Sequence, residues 1–381
     1  MPELPDHSWV RDATALAELA AAMREAPWVA LDSESNSMFV YRERVCLIQL
    51  NVGGALWLVD PVALAPTPEA LAESLAPLAE PLADPKLRVW VHGGEYDVAC
   101  FKRDYNLSFA NLFDTQQAAS FLGWQRTGYA AVVEAICGVK LAKDHAQYDW
   151  GQRPIGAEAL RYALDDVIHL PELGAELSEL IRAADLDEEL EIANRSVERA
   201  TAHDNSFDPA RMWKLKGVSE LRSERLPVLV ALYAWRDQKG RALDYPPGRL
   251  IANQPLVHIA KRAPQTAEAL DRFRLRGAFM RDSSEELLAI IKAALANPPP
   301  IPERVERKRL IQAELLRDKA LRTWRREQAE RRELPPHVVL PPRALEWIVE
   351  HGAAQLERCP ELGPKRIARY GETLRELCEA E

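Results

Sequence analysis

Cysteine is scarce and scattered. The five in 381 residues, at positions 46, 100, 137, 359 and 378, are odd in number and never fall in a C-x-x-C spacing. Neither a disulfide framework nor a zinc site is therefore indicated, and a reducing cytoplasm is the expected compartment. Also missing are any apolar run near the length a bilayer span needs and any cationic, apolar leader ending in a small-residue cleavage site, so no membrane partner and no targeting are expected. No feature points to a protein partner. A large excess of positive charge is absent too, and the formal net charge of −9 speaks against a polyanionic partner until it is divided along the chain. Residues 1–206 hold 16 Lys and Arg against 33 Asp and Glu, a net of −17, whereas residues 207–381 hold 33 against 25, a net of +8. An acidic half suits a site that holds cations, and a basic half suits a polyanion.

What is present begins with alternation of strand and helix signals, in a chain long enough for two or three domains. "WVALDSE" and "RVCLIQLNVGGALWLVD" read as strands, the second splitting into a hairpin at Gly53-Gly54. "LRVWVHGG" (87–94) is a further strand, followed by a helical "EYDVACFKRDYN", and "NLFDTQQAASFL" reads as a short strand entering a helix. From Ala157 to about Ala184 the periodicity is helical, with Pro171 placed to bend or break it. This order implies an α/β layer fold. Beyond about residue 206 the strand signals vanish and a repeat takes over. A shift of 89 carries Trp235-Arg236 to Trp324-Arg325, Pro246-Pro247 to Pro335-Pro336, Leu256 to Leu345 and Ile259 to Ile348. Two copies of one small helical unit are expected, joined through "ANPPPIPER" (296–304).

The first strand raises a chemical question. Residues i and i+2 of a strand share a face, so Asp32 and Glu34 project side by side while Ser33 and Ser35 point away. Two like charges carried inward need a partner. Asp97, at the start of the helix after "HGG", is placed to meet them, and Tyr162 and Asp166 share one helix face at i and i+4 with Asp165 rotated off it. Singly, each acid has an ordinary use at a strand end, in a helix first turn or on an exposed face. Together they form four hard oxygen donors and a phenol, the donor chemistry of Mg²⁺ or Mn²⁺ rather than of zinc.

The order "LDSES", "HGGEYD", "YALDD" resembles the three motifs of the DEDD exonuclease superfamily, in its tyrosine-bearing branch. The surrounding "CLIQL", "FDTQ", "DW" followed by "RP", and "RYALDDVIHL" are similar to the ribonuclease D family, and the helical repeat resembles HRDC domains. The resemblance implies an α/β ribonuclease-H-like exonuclease domain with a mixed sheet at 1–206, followed by two small all-α HRDC-like domains at 207–296 and 303–381. It implies metal-dependent removal of nucleotides from RNA 3′ ends, releasing 5′-monophosphates, in tRNA 3′ maturation or RNA turnover, with tRNA precursors as partner RNA. Two divalent ions, Mg²⁺ or Mn²⁺, are the implied cofactors. In that scheme Asp32 bridges both ions, Glu34 and Asp166 complete the site of the attacking water, Asp97 holds the second ion partly through water, and Tyr162 orients or helps deprotonate the water. His92, Gln116 and Lys143 are the candidates for contacting the terminal nucleotides. Eleven Lys and Arg residues between Glu303 and Arg332 suggest phosphate contact, against the alternative of a solvated, internally paired helix face. Three rival readings stand beside this one: the same chemistry on DNA, a catalytically silent RNA-binding protein, and a structural or regulatory interaction module working through the HRDC-like repeat.

Overall fold

The computed structural model describes residues 4–65, 67, 70–141, 147–201, 206–275, 283–304 and 310–379. By contact the chain divides into two units, one of residues 1–35, 45–203 and 309–381, the other of residues 36–44 and 204–308.

The first unit is built on a six-stranded sheet of order β1-β4-β3-β2-β5-β6. Its strands are β1 (Ser8–Val10), β2 (Trp28–Ser35), β3 (Val45–Val52), β4 (Ala55–Val59), β5 (Arg88–Val91) and β6 (Leu112–Asp114). β3 runs antiparallel to both its neighbours, β2 and β4, while the pairs β1/β4, β2/β5 and β5/β6 are parallel. The sheet is therefore mixed. The β3–β4 hairpin turns at Gly53 and Gly54, whose φ of 57° and 105° fall in the region glycine tolerates. β1 went unread in the sequence because three residues cannot establish an alternating pattern.

Helices cover both faces. α1 (Ala13–Glu25) and α2 (Glu95–Tyr105) pack Leu16, Leu19, Met23, Val98, Phe101 and Tyr105 against Val29 and Leu31 of β2 and Ile48 and Leu50 of β3. On the opposite face lie α3 (Thr115–Phe121), α4 (Tyr129–Cys137), α5 (Ala157–Ile168) and α6 (Leu170–Ala183). There α5 sets Leu160, Ala163 and Leu164 on Cys46, Leu47 and Leu58, and α6 sets Leu173 and Leu177 beside Ala30. The expected bend falls at His169, which separates α5 from α6, with Pro171 in the first turn of α6, where its missing N–H costs no hydrogen bond. α7 (Asp187–Glu198) completes the layer.

The helical repeat is visible in element boundaries. In the second unit α8 (Leu226–Ala242) is followed by the short helix Pro247–Leu250, then α9 (Asn253–Arg262) and α10 (Ser284–Ala296). In the first unit α11 (Gln312–Arg332) is followed by Pro336–Val339, then α12 (Pro342–His351) and α13 (Gly363–Glu379). The shift of 89 maps both ends of Pro247–Leu250 onto Pro336–Val339 and both ends of α9 onto α12. Trp235 and Trp324 are buried core residues of the two copies, and Arg236 is buried beside the first, donating to the Ile251 carbonyl at 2.8 Å. Both tryptophans and Arg236 are thus structural, whereas Arg325 of the second copy is only half-buried. The repeat fails at its last helix, α13 starting ten residues before the position that α10 plus 89 would give (373 against 363).

The C-terminal copy is docked on the sheet-bearing part of its unit. Lys365 Nζ lies 2.7 Å from Asp185 Oδ1, Arg343 donates to Ser196 Oγ at 2.9 Å, and Val338 joins the core formed by α3 and α6. In the other unit, residues 36–44 fold with the first copy: the Tyr41 hydroxyl donates to Asp237 at 2.7 Å and the Tyr41 N–H to Asp244 at 3.1 Å.

Candidate active site

The site forms where β2 outruns its parallel neighbour. β5 pairs with β2 only through Ala30, opposite Trp90, so Asp32 and Glu34 lie beyond it, at the C-terminal ends of the parallel strands. Their other neighbour is β3, where Asp32 stands opposite Gln49 and Glu34 opposite Leu47. Alternation sends Asp32 and Glu34 to the face covered by α5, and that helix delivers Asp166 to them. Oxygen atoms of Asp32, Glu34 and Asp166 all lie within 4.8 Å of one another. Asp165 is turned away and pairs with Arg161 at 2.9 Å.

Asp97 reaches the site from the other layer. It sits in the first turn of α2, on the face toward which Ser33 points, and Ser33 Oγ donates to Asp97 Oδ1. That placement leaves Asp97 outside the tight group of three but close enough to act on its charges. The turn ahead of α2 is held by Asp114, whose buried carboxylate accepts the N–H groups of Gly93 (2.9 Å), Gly94 (3.0 Å), Gln116 (2.8 Å) and Gln117 (3.2 Å). Gly93 has φ +70°, and a Cβ there would meet Gln116 Oε1 at 2.9 Å, so the "HGG" turn needs its glycine.

Electrostatics sets the cluster apart, because each of its carboxyls is held above its ordinary range. Burial, followed by Asp166, Asp97 and Glu34, holds Asp32 well above the usual carboxylate range. Burial with Asp166 and Asp97 pushes Glu34 up to about 9. Asp166 is raised to about 7, by burial and then Asp165, and Asp97 to about 6, by burial against the opposing Ser33 hydrogen bond. Four acids that cannot all ionise unaided would be stabilised by a divalent metal, since every donor is a hard oxygen. The residues present fit such ions.

Tyr162 lies one turn before Asp166, its ring 6.3 Å from that of Trp150, and burial with Asp166, Glu34 and Asp32 raises its phenol above the ordinary value. Trp150 belongs to the "DW…RP" loop, which Arg153 fastens by a two-pronged pair with buried Asp60 (2.8 and 2.6 Å) and a hydrogen bond to the Cys46 carbonyl (2.7 Å).

Of the candidate substrate contacts, His92 is packed inward: Nδ1 is 2.8 Å from Thr115 Oγ1, the ring meets Tyr129 edge-on at 5.3 Å, and burial lowers its pKa to about 4. A neutral imidazole at physiological pH offers no charge to phosphate. Gln116 lies over Gly93 at the turn. Lys143 lies outside the described residues. Of the basic run, Arg307, Lys308 and Arg309 also lie outside them. Arg317 donates to the Val349 carbonyl, Arg322 pairs with Asp318 and Arg332 donates to the Tyr370 hydroxyl, so part of that run is engaged internally.

Two residues were given no role by sequence reasoning. Asp114 positions the turn, and its signal was present as an Asp preceding a helix, the N-cap pattern. Gln49 is wholly buried across from Asp32, and neither end of its carboxamide is hydrogen-bonded among the described residues. Its strand read only as one arm of a hairpin.

A mixed sheet that brings oxygen donors together from the end of a central strand and from two helices is the arrangement of a divalent-metal-dependent nuclease. Comparison with known proteins agrees and refines this. The model of the family described as 3′-5′ exonuclease matches residues 7–182, and that of the HRDC domain matches residues 225–291 and 314–378. Ribonuclease D of Escherichia coli K12 is 31% identical over 290 residues, covering 74% of each chain. Ribonuclease D of Pseudomonas paraeruginosa is 29% identical over 363 residues, covering 91% of this chain and 90% of that protein. The crystal structure of Escherichia coli RNase D, described as an exoribonuclease involved in structured RNA processing, superposes with a TM-score of 0.69 at 25% identity over 98% of this chain and 99% of that one. The chain belongs to the ribonuclease D family of 3′-5′ exoribonucleases.

Proposed function

We propose that the protein trims RNA from its 3′ end one nucleotide at a time, releasing 5′-monophosphates, with tRNA precursors among its substrates. Asp32, Glu34, Asp97 and Asp166 are assigned as the holders of two divalent ions, Mg²⁺ or Mn²⁺. Bound there, the ions would polarise the scissile phosphodiester and supply a nucleophilic water. Tyr162, fixed between Trp150 and the acids, orients that water. Ser33 positions Asp97, and Asp114 positions the turn that carries it. Catalysis is assigned to residues 1–206, and engagement of structured RNA to the helical copies at 207–296 and 303–381.

The observation that carries this reading is the convergence of Asp32, Glu34 and Asp166 oxygens within 4.8 Å beside Tyr162. No scaffold needs such a cluster, since it costs stability without cations. The test supplies the purified chain with a tRNA precursor bearing a 3′ trailer, and with DNA of the trailer sequence, in Mg²⁺ and separately in Mn²⁺. Nucleoside 5′-monophosphates appearing from the RNA as the trailer shortens support the proposal. Release from DNA alone would transfer the chemistry to the DNA reading. Binding of the RNA without any product would leave the silent RNA-binding reading.

A further inference from the structure

A second group of metal-type ligands lies apart from the oxygen cluster. Cys137 is the last residue of α4, His169 forms the junction of α5 and α6, and Glu172 is in the first turn of α6. The Cys137 Sγ, an imidazole nitrogen of His169 and a carboxylate oxygen of Glu172 lie within 4.8 Å of one another. These residues are far apart or irregularly spaced in sequence, which is why cysteine spacing gave no hint of them.

We infer that Cys137, His169 and Glu172 form a binding site for a borderline-soft transition ion of the Zn²⁺ class, clamping the end of α4 to the α5–α6 junction. The donor set is one sulfur, one nitrogen and one oxygen, which selects Zn²⁺ over Mg²⁺, the reverse of the oxygen-only acid site. Bond lengths of ~2.0 to 2.3 Å put tetrahedral ligand atoms about 3.3 to 3.8 Å apart, so a small closure suffices. Glu172 is exposed and Cys137 only partly buried, so both have room to rotate inward. His169 and Glu172 sit at i and i+3 across Pro171, facing the same way over the first turn of α6. Gly138, with φ +68°, ends α4 immediately after the cysteine.

In the metal-free protein the Glu172 carboxylate engages the Cys137 thiol, and burial followed by that contact pushes the thiol up to about 11. Metal entry replaces the thiol proton: the S–H bond breaks, a sulfur–metal bond forms, and one proton leaves to solvent. The position matters because His169 follows Asp166 by less than one helical turn. At the start of α4 the Tyr129 hydroxyl already donates to the Asp165 carbonyl at 2.9 Å, so an ion at the other end of α4 would give the last turn of α5 a second anchor.

The test uses the full chain titrated with Co²⁺ in excess Mg²⁺, which keeps the acid site filled. The expected result is a thiolate-to-cobalt charge-transfer band in the near ultraviolet, with visible bands of tetrahedral Co²⁺, saturating at one equivalent and displaced by Zn²⁺. Cys137→Ser abolishes the charge-transfer band, His169→Gln and Glu172→Gln weaken Co²⁺ binding at least about tenfold, and Asp32→Asn leaves the band intact. Circular dichroism confirms that each variant is folded. A missing band at stoichiometric Co²⁺, or a band that survives Cys137→Ser, would overturn the site. Because the readout is spectroscopic, its failure leaves the nuclease reading untouched.

Discussion

Replacing Asp32 by Asn should make the metal-free protein more stable, and by an amount that depends on pH. The Asp32, Glu34 and Asp166 oxygens lie within 4.8 Å. At an effective dielectric near 20, a pair of unit charges at that separation repels by about 3 kcal/mol. Asn keeps the shape of Asp and removes its charge. For a sheet-bearing part of about 200 residues, a gain of about 3 kcal/mol corresponds to a rise in Tm of roughly 6 to 12 °C. The sign follows from linkage: the folded-state values, about 6 for Asp97, 7 for Asp166 and 9 for Glu34, all exceed the ordinary values of 3.8 to 4.5. The native state therefore binds more protons than the unfolded state across that window, and metal-free stability falls as pH rises from about 4 to about 9. The gain from Asp32→Asn should be largest near pH 8 and fade toward pH 5, where protons already neutralise the cluster. Thermal unfolding in chelator at both pH values, repeated with Mn²⁺, measures it. Mn²⁺ should raise the Tm of the native sequence more than that of the variant. A variant less stable than the native protein at pH 8 in chelator, or a difference indifferent to pH, would refute the electrostatic account.

Three further outcomes are expected. Tyr162→Phe should leave the Tm within about 1 °C and lower the cleavage rate by at least about tenfold, a split checked by pairing calorimetry with single-turnover kinetics. Asp114→Ala removes the acceptor of four N–H groups and should cost about 3 kcal/mol in denaturant unfolding, lowering activity with it as the turn before Asp97 loosens. Asp60→Ala strands the Arg153 guanidinium and should cost about 3 to 5 kcal/mol, whereas Asp60→Asn, which keeps an acceptor, should cost less.

How much of this was legible depended on the range of each interaction. Period-two alternation put Asp32 and Glu34 on one face of β2, and the 3.6-residue turn put Tyr162 with Asp166 and turned Asp165 away, because both rules act within a few residues. The same alternation sent Ser33 to the opposite face. It could not say that Asp97 would be waiting there, since that bond spans 64 residues. The 89-residue repeat carried both ends of Pro247–Leu250 and of α9 onto Pro336–Val339 and α12, because a repeated sequence buries the same apolar positions. The union of residues 36–44 with the first helical copy was invisible, resting on Tyr41 meeting Asp237 some 196 positions away. His92 read as a candidate substrate contact from its place in a motif, and motif position could not show that its ring packs against Thr115 and Tyr129. The Cys137, His169 and Glu172 group was hidden for the same reason as the Ser33–Asp97 bond: helix packing, not spacing, assembles it.

The most direct measurement follows a 5′-labelled RNA with an unpaired 3′ tail, incubated with the purified protein in Mg²⁺ or Mn²⁺ beside an EDTA control and Asp32→Ala. The account predicts a ladder that shortens by one nucleotide at a time and is absent from both controls. An RNA that stays full length in every lane, or one that shortens equally in EDTA or with Asp32→Ala, would contradict it.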